Sequence, residues 1–154
     1  MMIWYIVLAI MVTAIALWAY FTAQRLNRLH IRTDAALAAL QASLDRRAAV
    51  VAALLPEAGP TAAAAEAVPL EYGSFDLRAA RERAVTAAIG GLGDKRPAQI
   101  VDAEVRVQLA HRFYNDAVAD TRALRLRPGT RLLRLGGTAP LPEFFEFSSY
   151  PPAS

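Results

Sequence analysis

The sequence predicts an all-α protein: an N-terminal transmembrane helix followed by a long-helix antiparallel bundle. Three observations lead there. Residues 3–23 contain no Asp, Glu, Lys, Arg or His. Three later segments repeat apolar residues every three or four positions, the spacing of one helix face. No stretch alternates apolar and polar residues as a half-buried strand does, and Gly and Pro fall between the periodic segments. The expected organisation is an anchor over residues 1–24, a helical bundle over 25–139 and a Pro- and Phe-rich tail over 140–154.

The anchor comes first. A helix rises about 1.5 Å per residue, so a run of about twenty residues reaches roughly 30 Å, the thickness of a bilayer's hydrocarbon core. A cleaved signal peptide needs a cationic start and an apolar stretch of about 7–15 residues. Here no Lys or Arg precedes Arg25 and the run is longer, so a retained anchor is expected. A buried core helix is the other reading, but helices apolar on every face are rare in small domains. Trp4 and Tyr5 near one end, and Trp18, Tyr20 and Phe21 near the other, suit the two interfaces. Arg25, Arg28 and Arg32 follow the run. The positive-inside bias then puts the N-terminus outside and the remaining chain in the cytoplasm, at the plasma membrane. Ala19 and Ala23 form a small-xxx-small pair of the kind that lets two such helices touch.

Beyond the anchor, of the 154 residues about 130 remain, enough for one modest domain. The chain has no cysteine, which excludes disulfides, thiol catalysis and cysteine-based zinc sites. Its formal charge is +3, carried almost wholly by Arg spread among acids, so nucleic acid is not an expected partner. The juxtamembrane Arg trio favours anionic lipid headgroups.

Leu26, Leu29, Leu37, Leu40, Leu44, Val51 and Leu55 share one helix face, with Ala filling much of the rest. No Gly or Pro lies before Pro56, so anchor and first soluble helix can form one unbroken rod. Pro56 ends it, because proline disfavours helix in the residue before it. Residues 57–73 read as a connector with a short helical turn near 62–67. Ser74 is the expected N-cap of a second helix over residues 75–89, with Asp76 suiting its dipole. Leu77, Ala80, Ala84, Val85, Ala88 and Ile89 are its expected buried stripe, and Gly90-Gly91 its stop. A third helix is expected from Pro97 to about Leu126. Ile100, Val107, Tyr114 and Thr121 stand seven apart, His111 and Val118 interleave, and Val101, Val105, Leu109 and Leu124 widen the face. Asp102 and Arg106 make an i,i+4 pair. Pro128-Gly129 ends the helix, and residues 132–135 suggest one further turn.

At the third helix the chain resembles the LemA family of bacterial membrane-anchored helical proteins. Glu104, Val107, Ala110, Arg112, Tyr114-Asn115 and Val118 carry the resemblance. Pro128, the Leu-rich turn at 132–136 and Phe144-Phe145-Glu146 match downstream, and Asn27, Leu29, Arg32 and Arg46-Arg47 upstream. The chain departs from the family where residues 49–54 replace its Asp-Leu-Ile-Pro-Asn-Leu and where Arg122 replaces a second Asn. The resemblance implies an antiparallel bundle on a membrane stalk, and no chemistry.

The residues themselves assemble no catalytic set. His30 and His111 lack the helical partners a metal needs, so no metal or cofactor is expected. Glu104 and His111 share a face but lie two turns, about 10 Å, apart. Ser43, Ser74 and Ser148 lack a nucleophile elbow. Residues 90–95 lack the Gly-x-x-x-x-Gly-Lys-Ser/Thr pattern of a phosphate loop. Asn115 is expected to fix register between helices, and Arg47 and Arg112 to pair with acids on neighbouring helices. Phe144, Phe145, Phe147 and Tyr150 either fold back onto the bundle or dip into a membrane or partner groove; Pro151-Pro152 is too short for a proline-recognition ligand. The expected function is therefore a membrane-tethered scaffold with protein partners or self-association and no catalysis of its own. The alternatives are a lipid-interacting membrane-remodelling factor and a hydrolase with an unrecognised site.

Overall fold

A computed structural model describes residues 1–147. The aromatic Tyr150, Ser148 and Pro151-Pro152 lie outside the described residues. Five α-helices and two 3-10 turns make up the regular structure, and no strand occurs among the described residues.

Helix α1, Met2–Leu54, is one uninterrupted element of 53 residues. Its N-terminal part includes an 18-residue stretch of mean hydropathy 2.3, none of it buried, so it is no core helix and is long and apolar enough to cross a membrane. From Leu26 onward the same helix is half-buried, with Leu26, Leu40, Leu44, Ala48 and Val51 inside. The chain turns at Leu55 and a 3-10 turn over Pro56–Ala58. Helix α2, Gly59–Glu66, follows where only a helical turn was expected. Ala62 and Ala65 are buried with Ala48 and Val51 of α1; side chains this small let the two helices approach closely.

Helix α3 runs over Phe75–Gly90. Ser74 precedes it but makes no cap bond: its hydroxyl donates to the Pro69 or Glu71 carbonyl and accepts from the Glu71 N–H, tying the preceding turn instead. The buried face also differs from the expected stripe. Leu77, Ala80 and Ala84 are exposed, Ala88 is half-buried, and Phe75, Arg78, Ala79, Glu82, Val85 and Ile89 point inward. The reason is that Phe75, Val85 and Ile89, the residues with most apolar area to bury, fix the face, and positions 78 and 82 fall on it.

Helix α4, Ala98–Arg125, follows a 3-10 turn over Gly93–Lys95, with Pro97 at its start. It lies antiparallel to α1, its principal neighbour: Thr33 of α1 meets Thr121, and Val51 shares a core with Ile100. Ile100, Val107, Tyr114 and Thr121 are buried, as their spacing of seven predicts. Val101, Val105 and Leu109 do not widen the face; they are 44, 56 and 53 % exposed, because α1 covers only one side of α4 and the tail takes another. A short helix α5, Pro128–Leu132, is the last among the described residues and lies earlier than the expected turn.

Two apolar clusters form the core. One gathers Leu40, Leu44, Leu70, Phe75, Val107, Tyr114, Val118, Phe145 and Phe147. The other gathers Ala48, Val51, Leu55, Val85, Ile89 and Ile100 with the alanines of α2. Each fully buried Leu or Val contributes about 1.5–3 kcal/mol.

Candidate functional site

The C-terminal strap is the first constructed feature. Proline has no backbone N–H, so a tail containing Pro140 and Pro142 presents carbonyls in excess. One side of α4 supplies the donors, at positions 111, 114, 115, 122 and 125. Arg125 donates to the Ala139 and Pro140 carbonyls at 2.6 and 2.7 Å, and Arg122 to the Pro142 carbonyl at 3.0 Å. The Tyr114 hydroxyl donates to the Glu143 carbonyl at 2.6 Å. Asn115 reads both backbone groups of Phe145: its amide donates to the carbonyl at 3.2 Å, and its Oδ1 accepts from the N–H at 3.1 Å. His111 Nε2 lies 2.6 Å from the same carbonyl, which only accepts, so the tautomer protonated at Nε2 is assigned.

The strap runs antiparallel to α4 and inserts Phe145 and Phe147 into the core. Phe145 stands edge-on to Phe75 at 5.4 Å, and His111 edge-on to Phe147 at 5.7 Å. Phe144 is 42 % exposed and receives the Arg122 guanidinium over its ring at 5.6 Å. Burial drives the Tyr114 phenol well above its usual pKa, and neighbouring Tyr72 adds to the effect. Burial also raises Tyr72. Asn115 therefore fixes the strap rather than the register between helices.

Replacing Asn115 with Ala is expected to cost about 1–3 kcal/mol, the penalty for stranding the Phe145 N–H. Hydrogen exchange across residues 139–147 checks this, and Asn115→Asp, which keeps the acceptor, should restore part of the protection.

The second feature is a buried ionic belt between the two core clusters. Glu82, fully buried, accepts from Arg47 at 2.6 Å and from Arg78 Nε at 2.8 Å. Arg47 also donates to the Glu82 carbonyl at 3.2 Å and to Thr86 at 3.1 Å. Arg78 donates to Asp45 at 2.7 Å and to the Val68 carbonyl. Arg47 Nε is buried without a partner, and its guanidinium lies 5.4 Å from the centre of the Phe147 ring. Of this belt, sequence reasoning singled out only Arg47. The signal for the rest was the i,i+4 spacing of Arg78 and Glu82 on the face set by Phe75, Val85 and Ile89.

The other expected site residues are scattered. Arg112 pairs with Asp116 of its own helix at 3.9 Å, not with a neighbouring helix, because it points to solvent. Glu104 accepts from Arg96 at 3.3 Å. Arg32 is drawn to Asp120 of α4 at 3.1 Å. Trp4, Tyr5, Trp18, Tyr20, Arg25 and Arg28 are exposed along α1. His30 lines a hollow of about 220 Å³ with Asp34 and Tyr72 beside Pro140 and Pro142. No group of three or more His, Cys, Asp or Glu is placed to hold a metal among the described residues.

The third feature is a ridge. Val101, Val105, Leu109 and Phe113 stand every fourth residue along α4, each between 44 and 56 % exposed. Such i±4 rows are the ridges that fit the grooves of another helix. Comparison with protein-family models, curated proteins and solved structures finds no match to this chain.

Proposed function

We propose that this protein is a membrane-anchored helical interaction module of the LemA type, a scaffold at the cytoplasmic face of the plasma membrane with no catalysis of its own. The observation that carries this reading is the Val101–Val105–Leu109–Phe113 ridge, presented on a bundle that shares one helix with the apolar N-terminal segment. The ridge fits an amphipathic helix of a partner or of a second copy. The unbroken α1 would hold it at a fixed height above the bilayer.

A photo-crosslinking residue at Val105 in native membranes should give a discrete adduct. The same residue at Leu77, exposed on α3, should give none. Val105→Glu with Leu109→Glu should weaken the captured complex at least about tenfold, the effect of losing central apolar anchors. Equal labelling from both positions would count against the ridge as the docking surface. Absence of any adduct from Val105 would remove the scaffold reading.

A further inference from the structure

Two segments, residues 1–33 and 121–142, hold eight of the chain's 17 Lys and Arg and none of its 14 Asp and Glu. They are remote in sequence. The antiparallel pairing of α1 and α4 brings them to one end of the molecule. The Thr33 and Thr121 hydroxyls are hydrogen-bonded at 3.0 Å. Further along, Gly129 of α5 lies against the Trp18 ring, so close that a Cβ there would come within 2.6 Å of it. The rest of the chain is left with nine basic residues against 14 acidic, so the fold polarises a charge that looked evenly spread.

Trp18 lies five residues before the end of the apolar run, about 8 Å along the helix axis. Trp rings concentrate at the boundary between headgroups and acyl chains. Because Gly129 touches this ring, a membrane-spanning α1 carries α5 to the bilayer surface. The side chains there have the matching chemistry. Leu126, Leu132 and Leu133 are 50, 82 and 42 % exposed, and Arg127, Arg131 and Arg134 beside them are exposed too. None of these three arginines is paired with a carboxylate among the described residues. Part of the local backbone is closed from within: the N–H groups of Arg131, Leu133 and Leu135 donate to the carbonyls of Arg127, Gly129 and Thr130. A segment entering a medium poor in hydrogen-bond partners needs that closure.

We infer that residues 126–134 form a second membrane contact, an interfacial foot. Leu126, Leu132 and Leu133 enter the acyl boundary, and Arg127, Arg131 and Arg134 bind the phosphates of anionic headgroups. The inference rests on α1 being a membrane anchor. Each arginine near an anionic surface shifts the balance toward the lipid-bound foot by roughly fivefold.

The chain has no cysteine, so single-cysteine variants take an environment-sensitive fluorophore at one chosen place. Full-length Leu132→Cys, Leu77→Cys and Leu8→Cys are reconstituted into phosphatidylcholine vesicles with and without phosphatidylglycerol, carrying nitroxide lipids. With phosphatidylglycerol present, the label at 132 should be quenched several-fold more than the label at 77. Adding Arg127→Gln, Arg131→Gln and Arg134→Gln should bring it down toward the level at 77. Quenching at 8 but not at 132 would overturn the foot and leave the anchor standing. Loss of quenching at both would overturn anchor and foot together. Strong quenching at 132 that ignores the three Gln substitutions would overturn headgroup binding by these arginines.

Discussion

Glu82→Ala should destabilise the bundle by about 3–5 kcal/mol, the cost of breaking a buried ion pair from one side. Glu82 is the carboxylate that both Arg47 and Arg78 share, and all three side chains are essentially inaccessible to water. Without it Arg47 keeps only Thr86 and one backbone carbonyl, and Arg78 keeps Asp45 and Val68. Small domains are stable by about 5–15 kcal/mol, so the variant would approach the edge of folding. Urea titration of the full-length protein in micelles, followed by helical circular dichroism, measures the loss. A companion variant keeps the test honest. Replacing Arg47, Arg78 and Glu82 together by Met, Met and Leu removes charge and counter-charge at once, and such swaps are often neutral or stabilising. A large loss for the single change with little for the triple would assign the belt to pairing rather than to bulk. Equal losses would show that these positions matter for their packing alone.

Phe145→Ala should cost a similar 3–5 kcal/mol, as truncation of a buried aromatic does, and its effect should spread. Phe145 is fully buried and touches Phe75, His111 and Phe147. Its removal loosens the strap that seats Phe147 against Arg47, so the ionic belt loses its aromatic lid. The Phe145→Ala and Glu82→Ala losses should therefore fail to add, since the two sites share Phe147 and Arg47. Hydrogen exchange at α3 in the single and double variants reads that coupling directly. Phe144→Ala, at a half-exposed neighbour, should stay within about 0.5 kcal/mol by comparison. If Phe144 proves the costlier of the two, the strap is seated the other way up.

Local signals in the sequence located most of the helices. Pro56, Gly90-Gly91, Pro97 and Pro128 mark boundaries because proline and glycine act on their own residue and its neighbours, whatever the tertiary context. The spacing of seven through Ile100, Val107, Tyr114 and Thr121 named the inward face of α4 because one long partner, α1, covers it. The misreadings share a cause. Apolar periodicity assumes that what is buried is apolar, so it placed Leu77 inside α3 and ignored Arg78 and Glu82. A buried pair becomes visible only when the partner helix is known. Val101, Val105 and Leu109 fail for the complementary reason: the pattern counts apolar residues, not the neighbours available to cover them. The strap was half legible. Its aromatics stood out, but the donors at Arg122 and Arg125 answer to backbone carbonyls, which no side-chain pattern advertises. Arg122 is one of the residues that holds the tail down.

The unbroken run of α1 also sets a mechanical scale. At about 1.5 Å per residue, the 31 residues of α1 beyond the apolar run extend some 47 Å. Without a hinge, tilting the apolar end tilts the whole mast. At a tilt of about 20°, common for single spans, the far tip moves sideways by roughly 16 Å relative to an upright pose. A thinner or thicker bilayer would thus be read out as a lateral sweep of the opposite pole.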